Sequence, residues 1–329
     1  MVFTLTNTIG KYAKNPPGGE IIVNWVAVGS GGNTIATSAD GSSWRGVTAN
    51  GGITTRVSAV AYANGTWVAV GEGSNTIATS TNGTTWTGRT QNGGLTNNQY
   101  GSGVAYGLDG SGAGLWVVVG EGSNTIATSS DNGVTWIGQT QNGGMNTRGY
   151  GVTYANGLWV AIGQGTNKIA TSTDGIKWTG VTINNGITAY GFGVAYGNGL
   201  WVAVGAGPLG TNKIATSSTN GTTWTGISAN SAISTGQGVT YANSLWVVVG
   251  DNANAIATSS DNGVTWIGRT QNGGINSIGY GVVYGNGLWV AVGQGSNSIA
   301  TSTNGTAWTG VTANGGITFG RSIAFKPII

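Results

Sequence analysis

Seven copies of one tryptophan-punctuated unit run end to end through this chain, and that repeat limits what it can fold into. The segment W-V-[AV]-[VI]-G begins at Trp25, Trp67, Trp116, Trp159, Trp201, Trp246 and Trp289. Each copy is followed by I-A-T-S, starting at Ile35, Ile77, Ile126, Ile169, Ile214, Ile256 and Ile299. A second tryptophan then follows at Trp44, Trp86, Trp136, Trp178, Trp224, Trp266 and Trp308, and the two sets use all 14 tryptophans. Successive first tryptophans are 42, 49, 43, 42, 45 and 43 residues apart. That is the length of one four-stranded propeller blade, a unit that buries its apolar faces only against neighbouring copies.

Within a unit, four short β-branched or aromatic runs are separated by Gly/Asn punctuation such as Asn198-Gly199. In the fifth copy they read Gly193–Tyr196 (strand A), Leu200–Gly205 (B), Lys213–Ser217 (C) and Thr223–Gly226 (D). No stretch carries a 3.6-residue apolar period long enough for a helix. The expected fold is all-β: a seven-bladed β-propeller of four-stranded antiparallel blades, with small residues of strand A at the axis and tryptophans farther out. The first unit starts at its strand B, without a strand A of its own. The C-terminal stretch Thr312–Phe325 (TANGGITFGRSIAF) parallels Thr48–Tyr62 (TANGGITTRVSAVAY). Ser322–Phe325 is therefore expected to complete blade 1 and to leave no open sheet edge. Residues 1–20 fall outside the repeat, with Val2–Thr6 a candidate extra strand, and residues 21–329 form one propeller domain.

Composition removes several functions. Cysteine and histidine are absent, which eliminates disulfides, thiol chemistry, imidazole catalysis and the usual zinc sites; no metal and no cofactor are expected. The net charge of +3 comes from only 12 Lys+Arg and 9 Asp+Glu. No basic cluster marks a nucleic-acid partner. Apolar runs such as Leu115–Val119 are too short to span a bilayer, so membrane insertion is not expected. No signal-peptide h-region is visible near the start, and an extracellular or particle-surface location is favoured.

Between strands C and D lies the most specific local motif. Ser129, Asp131, Gly133, Thr135 and Trp136 match S-x-D-x-G-x-T-W, and so do Ser259, Asp261, Gly263, Thr265 and Trp266; the other five copies are degenerate. These segments resemble the Asp-box, or BNR, repeat of sialidases and many other propeller proteins, and the resemblance covers residues 21–325. It implies a structural hairpin turn, in which the Asp holds backbone N–H groups, the Gly takes positive φ and the Trp packs beneath.

The same resemblance raises glycoside hydrolysis. Sialidases use an arginine triad, a tyrosine nucleophile paired with Glu, and a further acid. Arg56, Arg148 and Arg321 fall on connections from strand D to the next strand A, with Tyr150, Tyr280, Glu72 and Glu121 nominally on the same face. Sialidase propellers, however, have six blades. No FRIP-like segment precedes the boxes here, and the arginines occupy register-equivalent positions. Catalysis is not expected, since a fold alone confers no chemistry.

The copies differ from one another at a few polar positions. One lies two residues before the Val/Ile of strand A: Ser58, Ser102, Tyr150, Phe192, Gln237, Tyr280 and Arg321. Another follows the strand-B glycine: Ser30, Glu72, Glu121, Gln164, Ala206, Asp251 and Gln294. Both sets are expected on the face where the axial channel opens, and aromatic rings beside Gln, Glu and Arg suit sugar recognition. Drift at exposed loop tips would produce the same variation. A contrasting set is constant: Asn33, Asn75, Asn124, Asn167, Asn212, Asn254 and Asn297, beside the N-G-G connections. These could line seven equivalent inter-blade sites in a multivalent lectin, or simply cap turns. The expectation is a non-enzymatic, lectin-like module with a glycan or other surface ligand. The alternative is a scaffold for a protein partner.

Overall fold

The structure, a computed structural model, describes residues 22–96, 103–181, 183–184, 187–207, 212–227, 233–251 and 254–327. Segment 1–20 and Ser102 lie outside them. The described strands form seven four-stranded antiparallel units in chain order. Blade 5 is representative: Tyr190–Gly197, Leu200–Ala206, Ile214–Ser217 and Trp224–Ile227. Each strand A contacts the strand A of the next blade, and the last contacts the first, so the units stand as a closed ring. Closure uses the C-terminal strand Ile317–Phe325, which pairs with Trp25–Gly31 and sets Phe325 opposite Trp25.

The two faces of a blade are written into alternate residues. In W-V-A-V, the Trp and the Ala point to one neighbour and the two Val to the other, as the two-residue period of a strand requires. At the interface of blades 4 and 5, Val160, Ile162 and Ile169 of blade 4 meet Trp201, Ala203 and Ala215 of blade 5. Seven such cores occur, one per interface, including the seam where Val290, Val292 and Ile299 meet Trp25, Ala27 and Ala36. Each first tryptophan also packs on the aromatic residue ending its own strand A, at centroid distances of 4.5–5.1 Å. Bulky-against-small complementarity therefore fixes blade spacing all round the ring.

Among the described residues, six of the seven outer strands are covered by an incoming connection. The N-G-G connection leaving one blade runs alongside strand D of the next, with parallel bridges Asn50–Trp86, Asn92–Trp136, Asn142–Trp178, Asn272–Trp308 and Asn314–Trp44. In blade 5 the short strand Ile183–Asn184 does the same against Trp224–Thr225. Covering the edge with an incoming connection blocks edge-to-edge association.

All seven turns between strands C and D share one hydrogen-bond pattern. The Ser Oγ ending strand C accepts the N–H of the turn glycine. The residue at the Asp position accepts the N–H that precedes the second tryptophan, whether it is Asp40, Asp131, Asp174 and Asp261, Asn82 and Asn304, or Thr219. That tryptophan's Nε1–H then donates to the glycine carbonyl at 2.9–3.2 Å. The turn needs an acceptor more than a charge, which accounts for the degenerate copies.

Where the acceptor is Asp131, burial raises its pKa, but hydrogen bonds from Thr135, Ser129 and Val134 outweigh this and pull it down to about 2. Asp261 is held at about 2 by the Thr265 hydroxyl and N–H and by Ser259. A folded-state pKa below the unfolded value gives stability that is complete above about pH 4 and is lost as pH falls toward 2. The melting temperature is expected to fall over that window. The D131N/D261N double variant should show a shallower fall and a lower melting temperature at pH 7, where the ionised carboxylates contribute fully; equal acid slopes would sink this account.

Candidate functional site

Two glycines flank the middle of the inner strand in blade 5, and the ring itself fixes both. In blade 5, a Cβ on Gly191 would lie 1.9 Å from Ile162 Cγ1, and one on Gly193 would lie 2.7 Å from the Gln237 carbonyl oxygen. Glycine is required there by the closeness of the adjacent blades, not by turn geometry. Phe192, between them, is skipped by the ladder: Gly191 faces Gly205 and Gly193 faces Val204. The residue is a β-bulge, which turns its side chain out of the pleat.

The same bulge recurs at Ser58, Tyr150, Gln237, Tyr280 and Arg321. This is the first variable set, less Ser102. All six bulge residues line one axial cavity of about 440 Å³. Below them its wall is Val60, Val104, Val152, Val194, Val239, Val282 and Ile323, one branched aliphatic from each blade. The volume falls in the range of small-ligand pockets, and the lining joins an apolar floor to a few polar groups.

The rim is asymmetric. Tyr150 and Phe192 meet edge to face at 5.0 Å, and Tyr190, exposed at the start of blade 5, lies 6.1 Å from Phe192. Around the ring Gln237 and Tyr280 follow, then Arg321, whose guanidinium lies over the Tyr280 ring 4.4 Å from its centroid. Phe319 is a second exposed aromatic on the same turn of chain. Tyr190 and Phe319 escaped the sequence reading; extending the comparison of copies two residues upstream of the bulge would have found them.

The second variable set stands elsewhere. Glu72, Gln164, Asp251 and Gln294 close their second strands, and Glu121 follows one; none lines the cavity. Glu72 forms an ion pair with Arg56 at 3.3 Å, and Glu121 pairs with Arg148. Glu72, Gln164, Asp251 and Gln294 pair with the first residue of their own strand A, at Arg56, Arg148, Thr235 and Ile278, so they stand beside the inner strand and outside the cavity lining.

For the asparagines the structure favours the turn-capping alternative. Asn33, Asn75, Asn124, Asn167 and Asn297 each donate an Nδ2–H to the first glycine carbonyl of the neighbouring N-G-G turn, at 2.9–3.0 Å. Asn254 abuts Gly268, and Asn212 is also engaged. In the five bonded copies, an N–H that an inter-blade ligand would need is spent holding blades together. Among the described residues no cluster of three acidic side chains could hold a metal.

No protein-family model matches the chain, and no curated protein does. Solved structures do. The computationally designed Ika8 protein is similar at TM-score 0.55 and 10% identity, over 93% of this chain and 92% of that one. YCF48 bound to D1 peptide matches at TM-score 0.53 and 16% identity, over 81% and 84%. YCF48 from Cyanidioschyzon merolae matches at 0.53 and 14%, over 79% and 85%. At such identities the likeness concerns the fold alone.

Proposed function

We propose that this chain is a non-catalytic, lectin-like binding module whose axial cavity receives a sugar ring. One observation carries the reading: at the inner-strand bulge the copies diverge into Tyr150, Phe192, Gln237, Tyr280, Arg321 and Ser58, and all six converge on one cavity. Aromatic faces suit the C–H faces of a sugar, while Gln237 and Ser58 suit its hydroxyls. The turn pattern supports kinship with Asp-box propellers. The engagement of Arg56 and Arg148 with glutamates argues against a sialidase-like arginine triad with Arg321. The reading now favours one axial site over seven grooves.

A glycan-array screen followed by titration calorimetry tests it. Saturable binding with one site per chain is expected, and Phe192→Ala should weaken it about tenfold, the upper end of what a ring contact contributes. Several equivalent sites per chain would refute the axial placement. A blank array would instead favour a protein partner. That second reading draws on Ile137, Val264 and Ile267, which are 67%, 61% and 56% exposed on blades 3 and 6.

A further inference from the structure

Two of the three arginines at this end of the ring are neutralised, and the third is not. Arg56 pairs with Glu72 and Arg148 with Glu121. Among the described residues no carboxylate lies within ion-pair distance of Arg321, which is also the arginine that lines the axial cavity. Its Nε is sealed from solvent and has no hydrogen-bond acceptor. A charged donor left buried and unmet is costly to the folded state. Native structures hold such a group where something else satisfies it.

We propose that the axial cavity selects ligands bearing a carboxylate, which seats against the edge of the Arg321 guanidinium while the ligand's ring lies toward Tyr150 and Phe192. The inference rests on the reading of this cavity as the ligand site. The geometry favours that group in three ways. Tyr280 lies over the face of the guanidinium, so the ring holds the fork without consuming its hydrogen bonds. A planar fork matches two carboxylate oxygens side by side. Arg321 is the lone cation of the lining, and the other polar side chains, Ser58, Gln237 and Ser322 among them, are uncharged. One positive charge matches a monoanion; a dianionic phosphate monoester would remain half uncompensated. Blades 4 and 5 stand opposite blade 1 in a seven-membered ring, so Tyr150 and Phe192 face Arg321 across the opening. A ligand held there has an acid on one edge and a flat or C–H-rich ring on the other.

The test is titration calorimetry with hexuronic acids, their matched uronamides, the parent neutral hexoses, and phenylacetate as a non-sugar acid. It is run on the full chain and on the R321Q and R321K variants, with thermal melts to establish that the variants fold. The acids should bind at least tenfold more tightly than their amides and neutral parents. R321Q should erase that preference without weakening the amides, and R321K should restore part of it. Amides or neutral hexoses that bind as tightly as the acids, or an R321Q protein that still prefers the acids, would overturn the carboxylate assignment and leave the sugar reading standing. Arg321-dependent binding of phenylacetate alone would do the reverse. No binding by any probe would overturn both.

Discussion

A chain ending at residue 316 is expected to lose cooperative folding altogether, not merely to lose a strand. The missing segment, Ile317–Phe325, is the inner strand of blade 1 and touches both sides of the seam. Ile317, Ile323 and Ala324 are buried in it, and Phe325 packs on Trp25 at 4.5 Å. Truncating a single large buried side chain costs about 2–5 kcal/mol. Removing Ile317, Ile323 and Phe325 at once, with a complete hydrogen-bonded ladder, exceeds the roughly 5–15 kcal/mol that holds a typical domain together. The truncation also exposes the edge of Trp25–Gly31, a template for aggregation. The seam is otherwise an ordinary blade hairpin that lacks its turn: Phe325 lies opposite Trp25, and the Lys326 N–H donates to the Asn24 carbonyl at 2.7 Å. A circular permutant joining Phe325 to Trp25 through an Asn-Gly turn, with the chain cut within a surface connection, should therefore fold. Circular dichroism melts and size-exclusion chromatography distinguish the cases. A truncated protein that stays monomeric with an unchanged melting temperature would show that the ring does not depend on this closure.

What could be read in advance, and what could not, divides along a physical line. Repeat length, blade number and seam were legible because they depend on side chains that recur: the tryptophans, the alternation of W-V-A-V and the echo of TANGGIT at both ends. The bulge was not. In blade 5 the expected inner strand begins at Gly193, whereas the observed one begins at Tyr190. The Gly-Phe-Gly segment reads as a loop, because glycine ordinarily marks a turn. Here its cause is tertiary, namely the neighbouring blade's Ile162 and the Gln237 carbonyl, which no local pattern reveals. The asparagines stayed open between two readings for a related reason. A polar residue kept in every copy suits a repeated site and a repeated clasp equally well, and only the position of the adjacent blade decides between them. The variable residues carried the opposite information. Repetition reports what packing needs, so Tyr150, Phe192, Gln237, Tyr280 and Arg321 stood out where the copies ceased to agree.

Trp201→Ala is expected to destabilise the protein by about 3–5 kcal/mol, the cost of excising a large aromatic from a close-packed core. The indole is fully buried at the interface of blades 4 and 5. It packs on Tyr196 at 5.0 Å, and its Nε1–H donates to Asn220 Oδ1 at 3.1 Å. The site cannot collapse around the gap, because Val160, Ile162 and Ile169 belong to a different blade whose position is fixed from its other side by Trp159 and Val152. A conservative pair of variants separates the contributions. Trp201→Phe keeps much of the ring contact but drops the hydrogen bond and some volume, so it should recover more than half of the loss. Ala203→Leu, which points at the same neighbour from the same face, should cost about 1–3 kcal/mol by overpacking. Urea melts of the three variants measure this, with the midpoint as readout. An alanine variant with a wild-type midpoint would mean that the blades can shift to fill the void, and that the ring is held by its hydrogen-bonded seams and not by the fit of Trp, Val and Ala between blades.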